Sequence, residues 1–151
     1  MALRETITNR FLERPFKTLS AEQMAQRLEL AGRTLERTFA AAKASESNRQ
    51  LLNHIAGIER WGQSRLRVVL GEPLLMDEYD GYRPPRESSW TELQDAFHSV
   101  RQQTVALASQ LGPAVEAGLR VPHNQFGSLT VRSWLRYLDM HANLEAKKLR
   151  R

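Results

Sequence analysis

Apolar residues recur at steps of three and four along most of the chain, which predicts four amphipathic helices. The predicted helices cover Ser20–Lys43, Arg49–Leu70, Ser89–Leu111 and a last segment that is capped by Thr130 and includes Leu149. Ser20 and Ser89 are each followed three residues later by Gln or Glu, the pattern of a capping box. No stretch alternates apolar and polar residues as a strand would.

The segments between these helices predict irregular structure. An irregular lead-in over residues 1–18 is expected to precede one domain over residues 19–151, and residues 71–88 form a long loop that contains Pro73, Pro84 and Pro85. A second irregular stretch passes through Pro122, with a helical turn near residues 114–117.

Four amphipathic helices of about 20 residues can bury their apolar faces only against one another, which predicts an all-α fold, a four-helix bundle. The short break after the first helix makes the first two helices antiparallel. The 18-residue crossover loop between helices two and three can span about 60 Å, so these two helices can run parallel. The direction of the fourth helix stays open.

Composition excludes several classes of protein. The 151 residues include no cysteine, so disulfide frameworks, Cys-ligated zinc and cysteine nucleophiles are ruled out. No apolar run approaches the length of a membrane span or a secretory signal, so we expect a cytoplasmic protein without a membrane partner. The net charge of +5 is spread along the chain, which favours a solvated basic surface over a nucleic-acid site.

Two histidines lie on apolar helix faces and are candidate metal ligands. His54 belongs to the face of the second helix and His141 to that of the fourth, where Glu145 follows one turn later. If these helices are neighbours, the three side chains offer two nitrogens and one carboxylate to a divalent ion. The alternative is a hydrogen-bonded His141–Glu145 pair without metal.

The other candidates favour structural roles. Glu59 could support the site, but an ion pair with an arginine is the preferred interpretation. His123 could approach as a fourth ligand or a base, although a turn residue is preferred, and His98 is expected to be partly exposed. Trp61, Trp90 and Trp134 have the spacing of core or interface residues. The chain lacks the P-loop, Rossmann and G-x-S-x-G fingerprints.

Two segments resemble the DinB/YfiT-like superfamily. They are LLNHIAGIERW at Leu51–Trp61 and QFGSLTVRSWLRYLDMHANLEAKKLR at Gln125–Arg150. The resemblance implies a four-helix bundle of up-down-down-up connectivity, frequent homodimers, and a divalent metal on three histidines. His54 and His141 match the first two ligand positions, whereas Glu145 stands where the family has the third histidine.

The resemblance also implies a function. It suggests a metal-dependent hydrolase or low-molecular-weight thiol transferase, linked to stress, that acts on a small-molecule substrate with a thiol cofactor as a candidate partner. With Glu145 in the third position, Zn, Ni, Mn and Fe are all compatible metals. The alternative is a non-catalytic binding protein of the same fold whose metal site is degenerate.

Overall fold

A computed structural model describes residues 2–151, which are mostly helical with one small sheet. The helices are α1 (Ala2–Glu13), α2 (Ala21–Ala41), α3 (Glu46–Leu66), α4 (Trp90–Gln110), α5 (Gly112–Glu116) and α6 (Val131–Ala146), and the strands are β1 (Arg120–His123) and β2 (Gly127–Thr130). Short 3-10 turns cover Arg14–Phe16, Arg67–Leu70 and Tyr79–Tyr82. The helical prediction is therefore confirmed, with two strands added.

The predicted helix starts have the expected caps. The Ser20 and Ser89 side chains each accept the backbone N–H three residues on, and Gln23 and Glu92 return the bond to the cap backbone. Thr130 caps α6 by accepting the Ser133 N–H at 3.1 Å. The helix α3 begins earlier than predicted, because Ser45 supplies its cap.

The four long helices bury their apolar faces against each other. The helices α2 and α3 each pack against both α4 and α6. Trp61 and Trp134 are buried in the larger of two apolar clusters, as predicted, and Trp90 packs at the edge of the smaller one. Within residues 2–151, no helix combines the length and apolar character that crossing a membrane requires.

The lead-in is helical, so the prediction of irregular structure there is wrong. Three large apolar residues of α1, Leu3, Ile7 and Phe11, are exposed, while Asn9 is buried. The Asn9 amide donates to the Ser128 carbonyl and accepts from the Thr130 N–H. The Asn9 contacts and the buried Leu12 side chain hold this helix. The segment therefore lacks the apolar stripe that would predict a helix. The domain boundary at residue 18 stays a prediction.

The stretch around Pro122 contains an antiparallel hairpin, which corrects the prediction that the chain has no strands. The β1 and β2 strands pair Val121 with Leu129, and both side chains are fully buried. Each strand has only four residues, and Pro122 and Gly127 lie within them, so the alternation is too short to detect. The predicted helical turn before the hairpin is confirmed as α5.

Candidate metal centre

Two neighbouring helices carry the three predicted ligands. His54 lies in the middle of α3, and His141 and Glu145 lie one turn apart on α6. Gly62 lets these helices approach closely, because a Cβ there would lie 2.4 Å from a Leu138 methyl carbon. Each of the two histidine side chains is half-buried. The candidate site therefore lies on two helices, α3 and α6, whose close approach depends on Gly62.

The three side chains meet at one point. The Nε2 atoms of His54 and His141 are 3.1 Å apart. One ligand atom from each residue, including a Glu145 carboxylate oxygen, lies within 4.8 Å of the other two. The structure thus brings together residues that are up to 91 positions apart in the chain.

The electrostatics leave both imidazoles neutral and the carboxyl group ionised. Burial lowers the pKa of His54, and burial together with the neighbouring His54 lowers the pKa of His141 to about 4. Burial acts to raise the pKa of Glu145, but the hydrogen bond from Lys148 and the nearby imidazoles outweigh it, so that pKa is lowered. At neutral pH the site therefore holds two uncharged imidazoles and one negative charge.

This arrangement fits a divalent metal ion. Two nitrogens that bind one zinc ion at bond lengths of about 2.0–2.1 Å lie about 2.9–3.4 Å apart, depending on the angle between them. The observed 3.1 Å separation of the two Nε2 atoms falls in this range. Neutral imidazoles and a carboxylate are also the protonation states that metal binding requires.

The predicted alternative, a His141–Glu145 hydrogen bond, is absent from the part of the chain that the structure describes. The hydrogen-bond partner of His141 is His54, and Glu145 accepts from the Lys148 ammonium at 2.8 Å. The His54–His141 contact itself satisfies one N–H, since one Nε2 donates to the other. The His54, His141 and Glu145 side chains therefore all have hydrogen-bond partners without an ion. This arrangement is also compatible with a protein of this fold that binds no metal.

Three further side chains, which helical spacing had not marked as candidates, adjoin the candidate centre. The Tyr79 ring meets the His54 ring edge-on at a centroid distance of 5.1 Å, and the Arg83 guanidinium lies 5.0 Å from the centre of the Tyr79 ring. Both residues belong to the long loop, where no periodicity marks them. The Tyr137 ring lies 5.9 Å from His141 on α6. Tyr137 precedes His141 by one helical turn, so helical spacing could have placed it beside that histidine.

Glu59 takes part in a buried ion pair and not in the candidate centre. Its carboxylate accepts from Arg101 at 2.7 and 3.0 Å, and both side chains are almost fully buried. Arg101 also donates to the Leu28 carbonyl oxygen and lies 3.9 Å from Asp139. The preferred interpretation, an ion pair between helices, is confirmed, and it ties α2, α3, α4 and α6 together.

The two remaining histidines lie outside the cluster of three. His123 ends β1 and is buried among Trp61, Phe126, Trp134 and Tyr137. Its Nδ1 accepts two backbone N–H groups of the hairpin turn, at 3.0 and 3.3 Å. These bonds give His123 the role of a turn residue. The His98 side chain is 60% exposed and contacts Glu36 at 2.8 Å, consistent with the predicted partial exposure.

Taken together, the fold and the site define a helical protein with a His-His-Glu group that could hold a metal ion. The family model of the DinB superfamily matches residues 3–144, and the chain belongs to this superfamily. Neither the curated proteins nor the solved structures give a match to the chain.

Proposed function

We propose that this protein is a metal-dependent enzyme of the hydrolase or low-molecular-weight thiol S-transferase type. The divalent ion, Zn, Ni, Mn or Fe, is held by His54, His141 and Glu145. The observation that carries the proposal is the convergence of three ligand atoms within 4.8 Å, from two helices, in the protonation states that a metal needs. Membership of the DinB superfamily is compatible with such a site.

A divalent ion in this position would polarise a water molecule or a thiol and so supply a nucleophile at neutral pH. The protein contributes the surroundings. Burial, together with the nearby Glu145 and Tyr79, raises the pKa of Tyr137 to about 12, so its hydroxyl remains a hydrogen-bond donor. Tyr79 and Tyr137 thereby flank the histidine pair with groups that can orient a small polar substrate.

The helix directions support a four-helix bundle of up-down-down-up topology, which we include in the proposal. Contacts between α2 and α4 pair Glu36 with His98 and Leu28 with Arg101, in opposite order along the two helices. Contacts between α3 and α4 pair Glu59 with Arg101 and Gln63 with Thr104, in the same order. Opposite order indicates antiparallel helices and equal order parallel ones.

The proposal further describes a homodimer that acts in the cytoplasm, in stress or detoxification, on a small molecule with a thiol cofactor as its candidate partner. A second candidate function is a non-catalytic stress or binding protein with a degenerate metal site. It is favoured by one observation, that His54, His141 and Glu145 already have hydrogen-bond partners without a metal.

Metal analysis separates the two candidates. Protein purified without a tag or chelator should contain about one divalent ion per chain, and His141→Ala should contain none. His98→Ala is the matched control, because that histidine is exposed and lies outside the cluster. Equal metal content in wild type and His141→Ala refutes the proposed site. A metal-free wild type whose melting temperature does not respond to Zn²⁺ or EDTA favours the non-catalytic protein.

A further inference from the structure

A groove of about 590 Å³ opens beside the candidate metal centre. One wall is the first two turns of α3, and the other is the end of the long loop. Three arginines line the groove, Arg49 from the helix and Arg83 and Arg86 from the loop. Lining residue Gln50 precedes His54 by one helical turn, so the groove begins about 6 Å along the helix from that ligand.

The charges within the groove do not cancel. Its two carboxylates have partners, since Asp80 contacts the Arg83 Nε at 3.2 Å and Glu46 accepts from the Gln50 amide at 3.3 Å. The side chains of Arg49 and Arg86 have no hydrogen bond or ion pair with any residue in the range 2–151. The groove therefore holds three guanidinium groups against two carboxylates, and the Arg49 and Arg86 guanidinium groups form no ion pair with either carboxylate.

The wall that carries two of the arginines is fixed to the helix. The Asn53 side chain is buried and donates to the Pro84 carbonyl oxygen at 2.8 Å. Gly57 lets the loop approach, because a Cβ there would lie 2.8 Å from the Arg83 Cγ. The groove is thus held in shape, a condition for recognising a small ligand rather than for attracting ions in general.

The groove and the metal centre share a wall. The Arg83 guanidinium stacks on Tyr79, and Tyr79 touches the His54 imidazole. A ligand with one end at His54 and the other in the groove would cover about 6 to 12 Å, one to two turns of α3.

We infer that the groove binds the anionic group, a carboxylate or a phosphate, of a small molecule whose other end reaches the His54–His141–Glu145 centre. Guanidinium groups pair with both anions through two parallel N–H···O bonds. Arg49 and Arg86 make these bonds, and Arg83 completes the wall. The part that concerns the metal end of the ligand rests on the proposed function.

Binding of simple anions to the metal-free protein tests the groove alone. The probes are succinate, inorganic phosphate and the neutral analogue succinamide, with binding measured by calorimetry and by NMR shifts of the arginine side chains. We expect an anion to bind and succinamide not to, and the better of the two anions identifies the group. The double variant Arg49→Ala/Arg86→Ala should weaken anion binding by about tenfold or more.

The control is Arg27→Ala/Arg120→Ala, which removes the same charge from two exposed arginines outside the groove. Equal loss of binding in both double variants, or equal binding of succinate and succinamide, overturns the inference. The link to the metal is tested on the zinc-loaded protein with 6-mercaptohexanoate, which is long enough to span the distance, and with its neutral analogue 6-mercaptohexanamide. The anion should bind at least about tenfold tighter than the amide, and this preference should vanish in Arg49→Ala/Arg86→Ala.

These measurements distinguish a failure of the proposed metal site from a failure of the proposed anion groove. If the protein takes up no metal, the proposed function fails, and the succinate measurements still decide whether the groove binds anions. If zinc binds but 6-mercaptohexanoate gains nothing over 6-mercaptohexanamide, the metal site stands and the connection between groove and centre is refuted.

Discussion

Removing one partner of the ion pair between Glu59 and Arg101 should cost far more stability than the length of the pair alone suggests. Removing one partner of a buried pair leaves an uncompensated charge and costs about 3–5 kcal/mol. The Glu59 and Arg101 side chains are 2% and 0% exposed, so the full cost applies. We expect Glu59→Gln to lower the free energy of unfolding by this amount, against a total of about 5–15 kcal/mol for a typical domain.

The chain supplies a matched control. Glu29 and Arg33 form an ion pair at the same 2.7 Å, but their side chains are 36% and 61% exposed. Glu29→Gln should cost less than about 1 kcal/mol, because solvent already screens that pair. Urea unfolding followed by circular dichroism measures both losses. In thermal unfolding, Glu59→Gln should lower Tm by about 6 to 20 °C.

A double substitution separates lost charge pairing from lost packing. Glu59→Leu with Arg101→Met removes both charges and should recover most of the stability lost by either change alone. Asp139 then keeps its 2.8 Å contact with Arg136. Equal losses in Glu59→Gln and Glu29→Gln would refute the reasoning. Loss of bound metal in Glu59→Gln without loss of stability would instead restore Glu59 as a support of the metal centre.

Two further predictions concern the hairpin and the helix contact. Burial, with Arg65 nearby, lowers the pKa of His123 to about 4, so between about pH 6.5 and 4 the unfolded chain binds a proton that the folded chain does not. The free energy of unfolding should therefore fall by up to about 3 kcal/mol as the pH drops through this range. Urea unfolding of His123→Asn should show a shallower pH dependence, and equal slopes in the variant and the wild type would contradict this prediction. Gly62→Ala should cost about 1–3 kcal/mol and reduce metal content, because its Cβ meets Leu138. Gly81→Ala, in open space, is the control, and equal effects would rule out the steric argument.

Much of the candidate centre could be predicted because it lies on regular helices. Helical spacing placed His54 on the inner face of one helix and His141 and Glu145 one turn apart on another, as the structure has them. What spacing could not supply was the contact between the two helices. That contact depends on Gly62 and on the core around it, which are tertiary features.

The α1 helix and the buried Arg65 were not predicted, and they share a physical cause. Both are held by polar contacts between residues that are far apart in the chain. The α1 helix is anchored by Asn9, which bonds to backbone groups of β2 about 120 residues away. Arg65 is fully buried and donates to the Pro122 carbonyl oxygen and to the Asn124 side chain. Hydrophobic periodicity carries no information about such bonds. Arginines generally lie on the surface, so the burial of Arg65 was not expected from the sequence.

Glu145 stands where the family resemblance implies a third histidine, and this difference has an electrostatic consequence for the proposed metal centre and the groove. A divalent ion held by two neutral imidazoles and the Glu145 carboxylate would have a net charge of +1, one less than three imidazoles would leave. Such a centre attracts an anionic substrate less strongly. The unpaired guanidinium groups of Arg49 and Arg86 line the adjoining groove and would supply positive charge that Glu145 takes away. If both proposals hold, recognition of an anion would depend more on the groove in this chain than it would beside a three-histidine site.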